Sequence, residues 1–373
     1  MPGRWLLVPF FILLGAATVF LLPYISYLRR PSVEDGRTYG RVPIHASDTS
    51  VNIPYDLKPL PTISSLPKDL KLGEYRSLEE VMEANGTLAI LVMKRDSIIY
   101  ENYFNGFICD SITQLFSATK PMVVSLLTLA IEEGFIESID QKVADFLPEF
   151  NTGEYAAITL RHLSQMRSGF DYDEYRKILG TLKFYYQRNL ASFMKDPKNL
   201  KLRFAPGEKF TYKSIDTQVL GACIEKATGM SLNEFFYHKI WKYIGAEYPA
   251  YWSLGDPSTG MLKFYGGLNV SVKDLARLGM MYLHDGKYMG RQLLPLSWVN
   301  HCDDLNNRNG KYTYCMGWWY DLNDRQNNIY FGAGFGGQIM FINETTETLI
   351  IRLGTKKGGI PWYRLFKEIS TRN

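Results

Sequence analysis

Two hydrophobic periods divide this chain. Leu88-Ala89-Ile90-Leu91-Val92-Met93 is a short unbroken apolar run, bounded by the polar turn Lys94-Arg95-Asp96-Ser97, and Ile98 to Phe104 returns as a second run. That pattern predicts a buried strand pair. Strand character comes back only near the C-terminus, at Tyr314 to Leu322, Ile329 to Phe331, Gln338 to Ile342 and Leu349 to Leu353, with Asn343 to Thr348 as a polar turn. Between these ends the spacing is helical. Ser77 to Ala84 forms a short helix, and the run Met122 to Ile131 forms another, with Pro121 near its start and Gly134 just past its end. From Phe135 to about Tyr265 the pattern is mostly helical with loops. Helices are predicted from Ile158, over Asp216 to Ala227, over Leu232 to Ile244, and then over Val272 to His284; Trp362 to Ile369 closes the chain as an amphipathic helix. Strands at both ends with helices between them predict an α+β fold. A largely antiparallel sheet is flanked by helices, a mostly helical lobe covers about 135–265, and a ligand cleft lies between them.

The N-terminus breaks this pattern. Trp5 to Leu28 carries no charge over 24 positions, long enough to span a bilayer. The expected organisation is an anchor or signal segment over 1–30, a Pro- and Ser-rich linker over 31–75, and one main folded domain over 76–373. An uncleaved anchor is favoured because the apolar run continues well past Gly15-Ala16-Ala17. Arg29, Arg30, Arg37 and Arg41 follow the segment and only Arg4 precedes it, so the positive-inside rule places the domain in the cytoplasm. The chemistry-bearing stretches of the domain point to the extracytoplasmic side instead.

Composition narrows the function classes. Hydrophobic residues make up 46% and charged ones 21% of 373 residues, an ordinary globular balance. The net charge of +4 and the lack of any nucleic-acid motif argue against a nucleic-acid partner. Cys109, Cys223, Cys302 and Cys315 form no C-x-x-C pair and are expected to be buried free thiols. His301-Cys302-Asp303-Asp304 places potential ligands side by side, where they rarely converge on one ion, so no metal site is expected.

Three stretches carry chemistry. Phe116-Ser117-Ala118-Thr119-Lys120 reads S-x-x-K at a helix start, which makes Ser117 and Lys120 neighbours on one face. A serine hydroxyl needs a base, and a partly desolvated lysine can be neutral enough to serve. Penicillin-binding proteins and β-lactamases use this arrangement. Pro206-Gly207 and the following helix hold Tyr212-Lys213-Ser214 in a fixed loop, and a tyrosine sharing a proton with a lysine can act as base and then acid. Gly332, Gly334 and Gly337 satisfy G-x-G-x-x-G, but Ile339 to Ile342 reads as a strand where a dinucleotide site needs a helix. Those glycines instead allow close approach of a ligand to an edge strand, which could supply one N–H to an oxyanion while Ser117 supplies the other. There is no G-x-S-x-G elbow and no H-E-x-x-H, and His162 reads as structural.

The order and spacing of these pieces resemble the class C β-lactamase-like serine hydrolases, and more closely their 6-aminohexanoate-dimer hydrolase branch. The matching residues include Ser117-Ala118-Thr119-Lys120, Glu132-Glu133-Gly134-Phe135-Ile136, Met166-Arg167-Ser168-Gly169, Tyr212-Lys213-Ser214, Gly266-Gly267-Leu268, and Gly334-Phe335-Gly336-Gly337-Gln338. The resemblance implies acyl transfer through a serine ester on a small amide or ester substrate, without metal or organic cofactor. It makes Ser117 the nucleophile, gives Lys120 and Tyr212 the base and acid roles, and lets Ser214 orient Lys120. Gly334, Phe335 and Gly336 become the substrate and oxyanion strand, and Asp171, Tyr172 and Tyr175 line the cleft. Alternatives are a penicillin-binding D-alanyl carboxypeptidase or β-lactamase, and an inactive membrane-tethered binding protein. β-Lactam-processing relatives usually carry Lys or His in the strand that here reads Phe331-Gly332-Ala333-Gly334-Phe335-Gly336. Weak turnover of penicillins is therefore expected unless another cation, such as Arg167 or Arg176, replaces it.

Overall fold

The structure, a computed structural model, describes residues 31–35, 40–172, 174, 178–296, 307–323 and 328–372. The expected anchor, Tyr175, Arg176 and the His301–Asp304 stretch lie outside them. Among the described residues no helix is long and apolar enough to cross a membrane.

The strands in chain order are β1 (Arg41–Ile44), β2 (Thr87–Lys94), β3 (Ser97–Tyr103), β4 (Thr113–Gln114), β5 (Ala250–Asp256), β6 (Met261–Leu262), β7 (Leu268–Val270), β8 (Lys287–Tyr288), β9 (Arg291–Gln292), β10 (Arg308–Asn309), β11 (Tyr312–Cys315), β12 (Trp318–Asp321), β13 (Ile329–Ala333), β14 (Ile339–Asn343) and β15 (Thr348–Gly354). The helices are α1 (Leu78–Ala84), α2 (Lys120–Glu132), α3 (Leu160–Ser164), α4 (Ile178–Tyr186), α5 (Leu190–Met194), α6 (Ser214–Thr228), α7 (Leu232–Lys239), α8 (Val272–Leu283) and α9 (Trp362–Thr371).

The main sheet is antiparallel, with the order β10-β11-β12-β13-β14-β15-β2-β3. It joins strands from both ends of the domain, as the pattern predicted. Alternate side chains of one strand enter different cores. Ala89, Leu91 and Met93 of β2 join a core with Leu275 and Leu278 of α8 and Leu126 and Leu127 of α2. Ile90 and Val92 join a second core with Leu78 and Val81 of α1 and Leu365 and Phe366 of α9. Because both faces are covered, β2 reads as a continuous apolar run rather than an alternating one.

A second sheet, β1-β5-β7-β4 with β6 on β5, escaped the sequence reading. β5 lies inside the stretch expected to be helical, where its length and alternation are too short to outweigh the helical signals around it. The expected linker contributes β1, which pairs with β5 from Arg41↔Ser253 to Ile44↔Ala250. Tyr314 to Leu322 is two strands, not one. Met316 and Gly317 both take positive φ, 47° and 91°, and reverse the chain between β11 and β12. An Asn-Gly pair would have announced that turn. The predicted helix over Leu232 to Ile244 stops at Lys239 and resumes as a 3-10 turn over Trp241–Tyr243. Cys223 and Cys315 are buried free thiols, but Cys109 is exposed, contrary to expectation.

Candidate active site

The S-x-x-K stretch forms a 3-10 turn, Phe116–Thr119, that runs into α2 at Lys120. Phe116 is in the left-handed region at φ 48°, next to Ser117. A side chain there costs about 1–2 kcal/mol, and packing holds it: the Phe116 ring lies 6.1 Å from Tyr185 and 5.8 Å from Phe335.

Lys120 is 0% exposed. Its Nζ donates to Ser117 Oγ at 2.9 Å, to Ser214 Oγ at 2.9 Å and to the Tyr265 carbonyl at 3.0 Å. Burial pushes the Lys120 amine down to about 8, and Glu174 nearby opposes the shift. The charged form loses hydration that three neutral oxygens only partly replace. Tyr212 is 8% exposed, and its ring centroid is 5.3 Å from Lys120 Nζ. Trp319 and Tyr314 hold that ring from behind, at 5.3 and 5.5 Å.

The Tyr212-Lys213-Ser214 loop is fixed from below. Lys213 Nζ donates to the Met166 carbonyl at 3.2 Å and lies 3.7 Å from Asp216 Oδ2. Asp216 Oδ1 accepts from Ser168 Oγ at 2.6 Å, and burial pushes its carboxyl up to about 6. The Ser214 N–H, at the first position of α6, donates to a Glu174 carboxylate oxygen.

The glycine stretch approaches the other side of Ser117. A Cβ at Gly334 would stand 2.1 Å from the Leu115 carbonyl oxygen, so only glycine lets this segment lie against the Ser117 turn. The Gly334 N–H donates to the Gln338 carbonyl at 2.8 Å and is therefore already engaged. Gly336 is also tight, with a Cβ 2.7 Å from the Gly354 carbonyl oxygen, and Phe335 is 54% exposed beside the Phe116 ring. No helix follows this turn; β14 does, so the dinucleotide pattern is fortuitous. Asp171 and Tyr172 line a pocket of about 250 Å³ that Tyr212 also walls. Tyr172 also stacks on Phe184 at 5.3 Å, and Phe184 on Tyr265 at 4.9 Å, which ties the loop to Lys120's carbonyl partner.

A sequence model of the β-lactamase family matches residues 76–362. The chain belongs to that family. It is similar to the 6-aminohexanoate-dimer hydrolase of Paenarthrobacter ureafaciens, with 26% identity over 298 residues that cover 74% of this chain and 75% of that one. Among solved structures, a candidate 6-aminohexanoate-dimer hydrolase from Bacillus anthracis superposes with TM-score 0.80 at 21% identity, covering 93% of this chain and 94% of that one. A penicillin-binding protein from Bacillus halodurans superposes with TM-score 0.62 at 17% identity, covering 78% and 99%.

Several site residues were not found from the sequence. Glu174 acts across 40 positions of chain, and the Tyr265 partner is a backbone oxygen; neither leaves a sequence signal. Arg352 did leave one, as a lone cation within the apolar run of β15. It is fully buried and donates to the carbonyls of Gly337 at 2.6 Å, Asn85 at 2.9 Å and Lys356 at 3.1 Å, pinning the far end of the glycine turn. His162 caps α3: its Nδ1 accepts from the Thr159 N–H at 3.2 Å, which assigns it a structural place.

Proposed function

We propose that this chain is a serine hydrolase that cleaves amide or ester bonds through an acyl-enzyme on Ser117. The observation that carries the reading is Lys120 Nζ, fully buried and 2.9 Å from Ser117 Oγ. With its amine near 8, roughly a tenth of the molecules hold neutral Lys120 at pH 7, against a few in ten thousand for an ordinary lysine. Neutral Lys120 takes the Ser117 proton as Oγ attacks the carbonyl carbon. The proton then passes, through Lys120 or Tyr212, to the departing amine or alcohol. Water hydrolyses the resulting serine ester by the same proton path in reverse. Ser214 Oγ and the Tyr265 carbonyl hold the amine in position throughout, and the Ser117 N–H is the oxyanion donor, the Gly334 N–H being engaged with the Gln338 carbonyl. This chemistry calls for no metal or organic cofactor.

The amide side of this reading draws support from the Paenarthrobacter relative, which is named a 6-aminohexanoate-dimer hydrolase. β13 carries no cation, only Ile329-Tyr330-Phe331-Gly332-Ala333, which disfavours the carboxypeptidase or β-lactamase alternative. The uncharged Trp5 to Leu28 run belongs to the proposal as a membrane tether, with the domain on the extracytoplasmic side. Turnover of a nitrophenyl ester tests the reading: Ser117→Ala should lose it by several orders of magnitude, and near-normal rates in a folded variant would end it.

A further inference from the structure

One buried cation takes no part in the acyl-transfer scheme. Arg352 is 0% exposed and shares a face of β15 with Ile350, two positions before it. Its Cζ stacks 4.0 Å from the ring centroid of Trp362, at the start of α9. Its acceptors are all neutral. Nε donates to Thr87 Oγ1 at 2.9 Å, Nη1 to the Gly337 carbonyl at 2.6 Å, and Nη2 to the Asn85 and Lys356 carbonyls at 2.9 and 3.1 Å. A Cβ at Gly337 would stand 2.2 Å from Nη1, and one at Gly354 2.6 Å from it, so both glycines leave room for the guanidinium. For stability alone, a well-packed apolar side chain often serves as well as a buried charge. What the planar fork adds is position, because it fixes three loops at once.

The Gly337 contact leads back to Ser117. Gln338, next in the chain, is fully buried. Its Nε2 donates to the Gln114 carbonyl at 2.9 Å, and its Oε1 accepts from the Gly354 N–H at 2.7 Å. Its carbonyl accepts from the Gly334 N–H at 2.8 Å, and Gly334 closes on the Leu115 carbonyl. Gln114 and Leu115 run straight into Phe116, whose φ of 48° persists only where the surroundings over-determine it. We propose that Arg352 is a positioning residue for Ser117. By holding Gly337 it sets the place of Gln338 and Gly334, and these hold the Gln114–Leu115 backbone that aims the Ser117 N–H and Oγ. The proposal rests on the hydrolase reading above, since the aim of Ser117 matters only if Ser117 is the nucleophile. Arg352 is fully buried and acts only through these neighbours.

The experiment measures kcat and KM for a nitrophenyl ester, together with denaturant unfolding, on full-length protein. Arg352→Lys keeps the charge and an unbranched stem, but one amine cannot reach Gly337 and the Asn85 and Lys356 carbonyls together. A misplacement of about an ångström at Ser117 predicts a kcat loss on the order of a hundredfold with KM little changed. Thr87→Val removes the Nε acceptor on the side away from the glycine turn. It should lower the unfolding midpoint and leave kcat near the wild-type value. If Arg352→Lys does not fold, Gly337→Ala takes its place: the added methyl group moves the turn off Nη1 while the other acceptors stay, and the same loss of kcat is expected. Wild-type kcat in the folded variant, or an equal loss of kcat in Thr87→Val, would overturn the inference; the equal loss would mean that any loosening of this core is enough. A serine-directed fluorophosphonate keeps the two readings apart. Wild type that labels at Ser117 and turns over, with a folded variant that keeps its kcat, discards the inference alone. Wild type that neither labels nor turns over discards the hydrolase reading, and the inference with it.

Discussion

Replacing Lys120 with methionine removes the amine and keeps an unbranched side chain in the same buried slot. The folded protein holds the wild-type amine near 8, and the unfolded chain returns it to about 10.5. Between those values the unfolded state binds more protons than the folded one, so wild-type stability gains as pH rises through the window. Below pH 8 the folded state must either keep a buried cation or give up its proton. The cost is roughly 3 kcal/mol at pH 7 and falls below about 1 kcal/mol by pH 10. The variant has no such group. It also leaves Ser214 Oγ and the Tyr265 carbonyl without their donor, a pH-independent loss that can offset the relief. The sign of the stability difference at any one pH is therefore a poor test, but its slope is a good one. Denaturant unfolding of both proteins at several pH values should show wild type gaining about 2 kcal/mol on Lys120→Met between pH 7 and 10. A flat difference would mean that Lys120 keeps an ordinary proton affinity in the folded state, and the base role would lose its physical basis.

Three further outcomes follow from the geometry. Ester hydrolysis, as kcat/KM, should rise with pH and level off above an inflection near 8, because only neutral Lys120 can take the Ser117 proton; a flat profile from pH 6 to 10 would contradict this. Gly334→Ala places a methyl group 2.1 Å from the Leu115 carbonyl, so the strand end and the Ser117 turn must separate. A displacement of about an ångström costs on the order of a hundredfold in kcat/KM, and a variant within threefold of wild type would show the contact to be slack. Deleting residues 1–30 should move the protein from the membrane fraction to the soluble fraction with its activity intact; full-length protein in the soluble fraction, with a new N-terminus after residue 17, would mark a cleaved signal instead.

The sequence discloses much of this arrangement because its strongest signals are local. Ser117 and Lys120 are three apart at a helix start, so their proximity follows from backbone geometry. Tyr212 and Ser214 are fixed by a Pro-Gly turn on one side and a helix start on the other. The hidden parts depend on distant chain segments or on backbone atoms. The Tyr265 carbonyl has no identity in a sequence, and Glu174 gains meaning only when its loop folds onto α6. β5 was masked by the helices around it, and the Met316-Gly317 reversal by its apolar neighbours. Arg352 is the exception that the pattern could have exposed: a guanidinium in the middle of Thr348-Leu349-Ile350-Ile351-Arg352-Leu353-Gly354 must find partners, and it finds them on the glycine turn beside Ser117.

Intact-mass spectrometry after brief exposure to a slowly turned-over nitrophenyl ester tests the covalent step most directly. Wild-type protein should gain the mass of one acyl group, peptide mapping should place it on Ser117, and Ser117→Ala should gain nothing. Steady turnover with no adduct on quenching, or an adduct on any residue other than Ser117, would contradict the acyl-enzyme mechanism.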